Sequence, residues 1–310
     1  MTETLFQAYM PLILWTSLGL SICRFLPQWL PRFLGRALYW VGVPLELFAL
    51  ARRNQLDNFN HEIALPLIAP IITLGSLILG LVLVLLVLWR FKAYSNTPAS
   101  FILSAILGNT GFVGLGIAPF LINSEALNWA VLYSVTHNVI GPYGLGVVVA
   151  SYFSQSKSST SWWMQLREVL TVPSLWAFLV GILTQKVQFP QTIESGLQGS
   201  INIVIASAFL LTGIRLAQLR GWKSIKPAFV PAIIKVCVIP LFVGIATTWL
   251  LGLSGDQRLA MVLMSGMPSA FAGLILAEEY NLDHDLIASS IIISTLLLLL
   301  MLPLWILMFG

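Results

Sequence analysis

The sequence predicts an all-α polytopic membrane protein: ten transmembrane helices forming two inverted five-helix repeats, with helices 4 and 9 broken and crossed. Three observations predict it. Of the 310 residues 58% are hydrophobic and only 9% charged, with a mean hydropathy of +0.90, against roughly 25% charged in an ordinary soluble domain. Apolar runs of about 20 residues, long enough to cross about 30 Å of hydrocarbon, recur along the whole chain. Two of these runs carry similar interruptions, GNTGFVGLGIAP from Gly108 to Pro119 and SGMPSAFAG from Ser265 to Gly273.

The ten expected segments run near Leu5 to Ile22, Leu34 to Ala51, Ile63 to Trp89, Ala99 to Leu121, Leu127 to Phe153, Val172 to Val187, Gly199 to Leu219, Ala228 to Leu251, Leu259 to Glu278 and Leu286 to Phe309. The sixth is interrupted by Gln185 and Lys186. The opening MTETLFQAYM has no Lys or Arg before its apolar run, unlike a cleavable signal peptide, so the first run is expected to stay as a helix.

The net charge of +4 does not mark a nucleic-acid partner, because the basic residues are spread over short loops and not gathered on one face. They report topology instead. Eleven of the sixteen cations fall after segments one, three, five and seven, from Arg24, Arg32 and Arg36 through to Arg215, Arg220, Lys223 and Lys226. Only Arg52, Arg53, Lys186 and Arg258 lie on the opposite side. Cytoplasmic loops carry the positive excess, so both termini are expected to be non-cytoplasmic. The loop EEYNLDHD after segment nine is acidic, and acids contribute little to this rule.

Shifting the first five segments by about 157 to 165 residues places each near one of the second five and lays the first break on the second. Five is odd, so the second set enters with opposite polarity, as in transporters built from inverted repeats. The expected units are residues 1–153, an interfacial linker at 154–171 and residues 172–310. The linker, with Trp162, Trp163 and Arg167, reads either as a short helix at the membrane interface or as a solvated connection.

The breaks carry the chemistry. Four glycines around Asn109 and Thr110 disfavour a continuous helix, and lipid cannot satisfy the freed amides, so such backbone must sit in protein or face a watery cavity. One half-helix should end near Leu107 and the next start around Phe112. In the second break Pro268 lacks an amide hydrogen, placing an end near Gly266 and a restart near Ser269. Inversion points the two restarting N-termini at each other, and their partial positive charge suits an anion. Asn109, Thr110, Ser265 and Ser269 are the candidate side-chain donors, against the alternative that the small residues only permit close helix packing.

Ionisable residues within the membrane each need a role. Lys235 sits about seven residues, roughly 10 Å, into segment eight; it either snorkels to the surface or is a counter-charge for an anionic substrate. Glu46 reads as a structural hydrogen bond or ion pair. Asn138 can reach the site from segment five, and His137 reads as a packing residue. Cys23 and Cys237 lack metal-site or disulfide spacing, and no metal or cofactor is expected. Nothing resembles a nucleotide-binding loop.

GNTGFVGLGIAPFL and MSGMPSAFAGLILAEEYNLDHDLIASSIIISTLLLLLMLPLW resemble the auxin efflux carrier family, of plant auxin exporters and bacterial permeases. The resemblance spans the chain in length and helix count. It implies a scaffold and homodimer surface of helices 1, 2, 6 and 7, a mobile transport group of helices 3–5 and 8–10, and an elevator motion of the crossing site. It places Asn109, Thr110 and Gly111 on the first crossover and Met267, Pro268 and Ser269 on the second. Gly116 stands where the family usually has proline, which loosens or shifts the first restart. Without the long central loop of the plant exporters, the chain is similar to the compact bacterial branch.

The expected function is therefore secondary transport of a small organic anion (an auxin-like carboxylate, dicarboxylate or 2-oxo acid) across the plasma membrane, the inner membrane in a Gram-negative cell. A sodium-coupled symporter or exchanger on the same plan is the alternative, although neither break holds an acid. An intramembrane hydrolase using Ser265 or Ser269 with His137 is more remote, lacking a GxSxG or GxGD arrangement.

Overall fold

The computed structural model describes residues 2–27, 29–53, 65–91, 97–153, 173–218 and 224–310, and among these every named element is helical. The expected linker helix at 154–171 lies outside the described residues. In chain order the α-helices are α1 (Thr2–Ile22), α2 (Leu30–Ala37), α3 (Val43–Arg53), α4 (Leu65–Arg90), α5 (Pro98–Ile106), α6 (Leu115–Leu121), α7 (Ser124–Ile140), α8 (Val147–Phe153) and α9 (Pro173–Leu183). They continue as α10 (Gln191–Gln218), α11 (Ile225–Ile233), α12 (Ile239–Trp249), α13 (Gly255–Ser265), α14 (Ala272–Tyr280) and α15 (His284–Phe309).

Among the described residues six stretches are long and apolar enough to cross a membrane, Phe6–Phe25, Leu30–Arg52, Ile68–Arg90, Gln191–Gln218, Ile225–Trp249 and His284–Phe309. The chain is thus a multi-pass membrane protein. The second and fifth of these stretches are two α-helices joined by wide π-turns, Leu38–Gly42 and Ile234–Val238. A third π-turn, Gly141–Gly146, joins α7 to α8. Pro142 and Gly141 begin it, where a missing amide and a missing Cβ both weaken the regular ladder.

Helix α1 packs along α10, and α3 along α9 and α10. The α1–α10 contact is backbone on backbone: a Cβ on Gly213 would lie 2.0 Å from the Thr16 carbonyl oxygen, and one on Gly19 2.2 Å from that of Leu210. Glycine alone permits this approach, as small residues do between membrane helices. Arg52 pins α3 to the α9–α10 connection. Its guanidinium donates to the Thr184 carbonyl, to the Val187 carbonyl at 2.9 Å and to the Glu194 carboxylate at 2.6 Å, and stacks 3.7 Å from the Phe189 ring centroid.

Helix α2 packs on α10, while α4–α8 and α11–α15 pack together, with α4 on α7, α7 on α13, α12 on α13, and α11 on α15, and meet the first group where α1 lies on α6 and α3 on α7. Within this second group the short helices α5, α6, α13 and α14 meet at the two breaks. Residues 107–110 and 265–271, which make up the breaks, are all buried, so the breaks have little contact with lipid.

Candidate functional site

Helix α5 stops at Ile106 and α13 at Ser265, and between each stop and the following restart the chain runs extended. Gly108 and Ser269 pair as an antiparallel bridge. The Asn109 amide donates to the Pro268 carbonyl at 2.7 Å and the Ala270 amide to the Leu107 carbonyl at 2.9 Å. Each break thus supplies the partners that the other has lost, as backbone buried away from water requires.

Side chains satisfy most of what is left. The Asn109 carboxamide oxygen accepts from the Phe112 amide at 3.3 Å and caps the restart. The Ser269 amide donates to Ser294 Oγ at 3.0 Å, and the Ser269 hydroxyl to the Ser104 carbonyl at 2.7 Å. Nε2 of His137 lies 3.2 Å from the Gly108 amide and 3.3 Å from the Ile106 carbonyl, the donor and acceptor freed where α5 stops. Its tautomer sets which of the two it serves. Thr110, Ser134 and Asn138 close a ring of side-chain hydrogen bonds at 3.3 to 3.4 Å.

A cavity of about 860 Å³ reaches from this floor to an exposed rim. Gly108, Asn109, Gly111, Phe112, Asn138, Ala270, Phe271 and Ala272 form its inner end, Tyr39, Pro142, Tyr143 and Arg215 its walls, and Arg32, Arg36, Gln218, Glu278 and His284 its rim. The amides of Gly111, Phe271 and Ala272, three residues that line it, carry no hydrogen bond among the described residues. Free backbone donors at a restarting helix are suited to a carboxylate or another anion.

The sequence profile of the membrane transport protein family matches residues 40–306, a stretch that contains both breaks. The chain belongs to this family, the auxin efflux carrier-like permeases. It is similar to an uncharacterized transporter of Methanothermobacter thermautotrophicus, with 27% identity over 280 residues that cover 88% of this chain and 87% of the relative. An uncharacterized transporter of Methanocaldococcus jannaschii is 27% identical over 280 residues, covering 88% of each chain.

In this permease Asn109, Gly111 and Asn138 line the cavity, whereas Thr110, Ser265, Met267, Pro268 and Ser269 stand behind it as frame. Ser265 donates to the Val262 carbonyl at 2.9 Å, and Met267 lies against Gly114. The second restart comes at Ala272, not near Ser269, because Ser269 is engaged in the bridge. The first restart opens as a π-turn, Thr110–Gly114, before regular helix resumes at Leu115. This fits a break in which Gly116 replaces a helix-fixing proline.

Lys235 does not snorkel. Only 2% exposed, it donates from Nζ to the Ser265 carbonyl at 2.8 Å, at the end of α13, and passes directly behind Gly108. Glu46 is also 2% exposed, and its Oε1 has no hydrogen-bond partner, so the expected structural pairing of that oxygen is not seen. His137 is more than packing, since it serves the break. Neither Ser265 nor Ser269 pairs with it. Sequence reasoning missed Ser134, Ser294 and Arg215. The signal for Arg215 was its place inside an apolar span, where a cation needs a local reason.

Proposed function

We propose that the permease is a secondary transporter of small organic anions, with the joined breaks as its substrate site. The observation that carries this is the set of unpaired amides of Gly111, Phe271 and Ala272 at the inner end of a cavity whose walls and rim hold Arg215, Arg32 and Arg36. Asn109 and Asn138 add carboxamide donors, and the amino group of Lys235 stands behind the floor. Ten passages in two inverted repeats, residues 1–153 and 172–310, account for how two similar breaks come to face each other.

Packing supports a scaffold of α1, α2, α3, α9 and α10 beside a transport group of α4–α8 and α11–α15. In this reading the transport group slides as an elevator against the scaffold, whose outer face joins a second copy in a homodimer. The arginine-rich rim faces the cytoplasm of a plasma membrane, following the charge rule, and the termini lie on the other side. Sodium coupling on the same plan is separated by running the assay with and without a sodium gradient.

The test is uptake of radiolabelled organic acids by proteoliposomes. Saturable uptake is expected, with Asn109→Ala lowering its efficiency by roughly tenfold or more through loss of the cap and of a ligand donor. Normal flux in that variant refutes the site, and absence of saturable uptake of any acid refutes the function.

A further inference from the structure

Arg215 stands in the sequence TGIRLAQ near the end of α10, inside the apolar span Gln191–Gln218. Its guanidinium carbon lies 5.3 Å from the centre of the Phe271 ring. A Cβ on Gly35 would come within 2.7 Å of one guanidinium nitrogen, so glycine at that position leaves the group its place on the cavity wall. What it lacks is a partner. Among the described residues it makes no hydrogen bond and no ion pair within 4 Å. Glu278 acts on it only at longer range, and one oxygen of that exposed carboxylate is 3.9 Å from His284 Nε2.

Arg52 shows how this chain treats a buried guanidinium it uses structurally: two carbonyls and a carboxylate are bound to it. Arg215 has five donors of the same kind, the Phe271 ring beside it and a place in the cavity lining. The guanidinium is partly buried and has no protein partner among the described residues, and its planar fork matches a carboxylate bidentately.

We propose that Arg215 is a substrate-binding residue that takes a second anionic group, so that the acid carried is a dicarboxylate. This rests on the reading of the cavity as the substrate site. One carboxylate sits at the inner end against the amides of Gly111 and Ala272, with Lys235 behind Gly108. The other reaches Arg215 beside the ring of Phe271. Three arginines and one glutamate line the cavity, an excess of positive charge that a monoanion does not balance. Arg32 and Arg36 at the rim draw the dianion in.

Proteoliposome uptake of succinate and malonate, compared with butyrate and propionate of the same carbon number, tests this in wild type, Arg215→Gln and Arg215→Lys. Wild type is expected to prefer the dianions. Arg215→Gln should raise the succinate KM by roughly ten- to a hundredfold, the scale of one lost charge-assisted bond, and lower the ratio of succinate to butyrate uptake. Arg215→Lys keeps the charge without the fork and should give an intermediate succinate KM, which also decides the matter if the glutamine variant does not fold. An unchanged ratio of succinate to butyrate in both variants overturns the proposal. Wild-type uptake of butyrate in preference to succinate, abolished by Asn109→Ala, overturns it while leaving the transporter reading intact. Entry of no acid of either class overturns both.

Discussion

Replacing Gly108 by alanine tests the frame of the site without touching its lining side chains. The added Cβ would lie 2.9 Å from both Cε and Nζ of Lys235 and 3.5 Å from the Met267 carbonyl oxygen. Ordinary contact needs about 3.5 to 4.0 Å, so the lysine must retreat by roughly 0.6 to 1 Å. Its bond to the Ser265 carbonyl is 2.8 Å long and would stretch beyond useful range. Leaving that buried acceptor unpaired costs about 1–3 kcal/mol, and overpacking adds about 1–3 kcal/mol. With part of the strain relieved as the bond breaks, a net loss of about 2–4 kcal/mol is expected.

Thermal unfolding in detergent of Gly108→Ala, Lys235→Ala and the double variant measures it. If the harm runs through the lysine, Gly108→Ala should cost almost nothing once Lys235 is truncated, so nearly all of the loss of about 2–4 kcal/mol should appear as coupling in the cycle. Additive losses, or a single variant that melts like wild type, would refute the reasoning.

Two further predictions concern the scaffold. Arg52→Met leaves the Thr184 and Val187 carbonyls without their donor and should cost about 2–4 kcal/mol; Glu194→Gln, at a side chain 39% exposed, should cost under about 1 kcal/mol, as detergent melting curves will show. Gly213→Ala forces a Cβ into the Thr16 backbone and should sharply reduce the yield of monodisperse protein, whereas Gly199→Ala, where a Cβ meets nothing within 4 Å, should leave yield and melting unchanged or slightly improved.

The breaks were legible because glycine, asparagine and proline act locally: they weaken a helix wherever they stand, and α5 and α13 do end at Ile106 and Ser265. The partners were not. Nothing near Ser269 announces that its hydroxyl will meet the Ser104 carbonyl 165 positions away, nor that this engagement delays the restart to Ala272. Lys235 reads locally either as a snorkelling lysine or as a counter-charge, and only the packing of the π-turn Ile234–Val238 against α5 rules out the first. Arg215 was absorbed into a count of loop charges. Its location on a cavity wall depends on Gly35 and Phe271, which belong to other helices.

The pair of main-chain bonds at Gly108 and Ser269 has a mechanical consequence. Neither interrupted rod can swing alone without shearing both bonds. The two must travel as one rigid coupling. In the proposed elevator reading, the stroke that carries cargo between compartments is therefore confined to the boundary with the neighbouring helices.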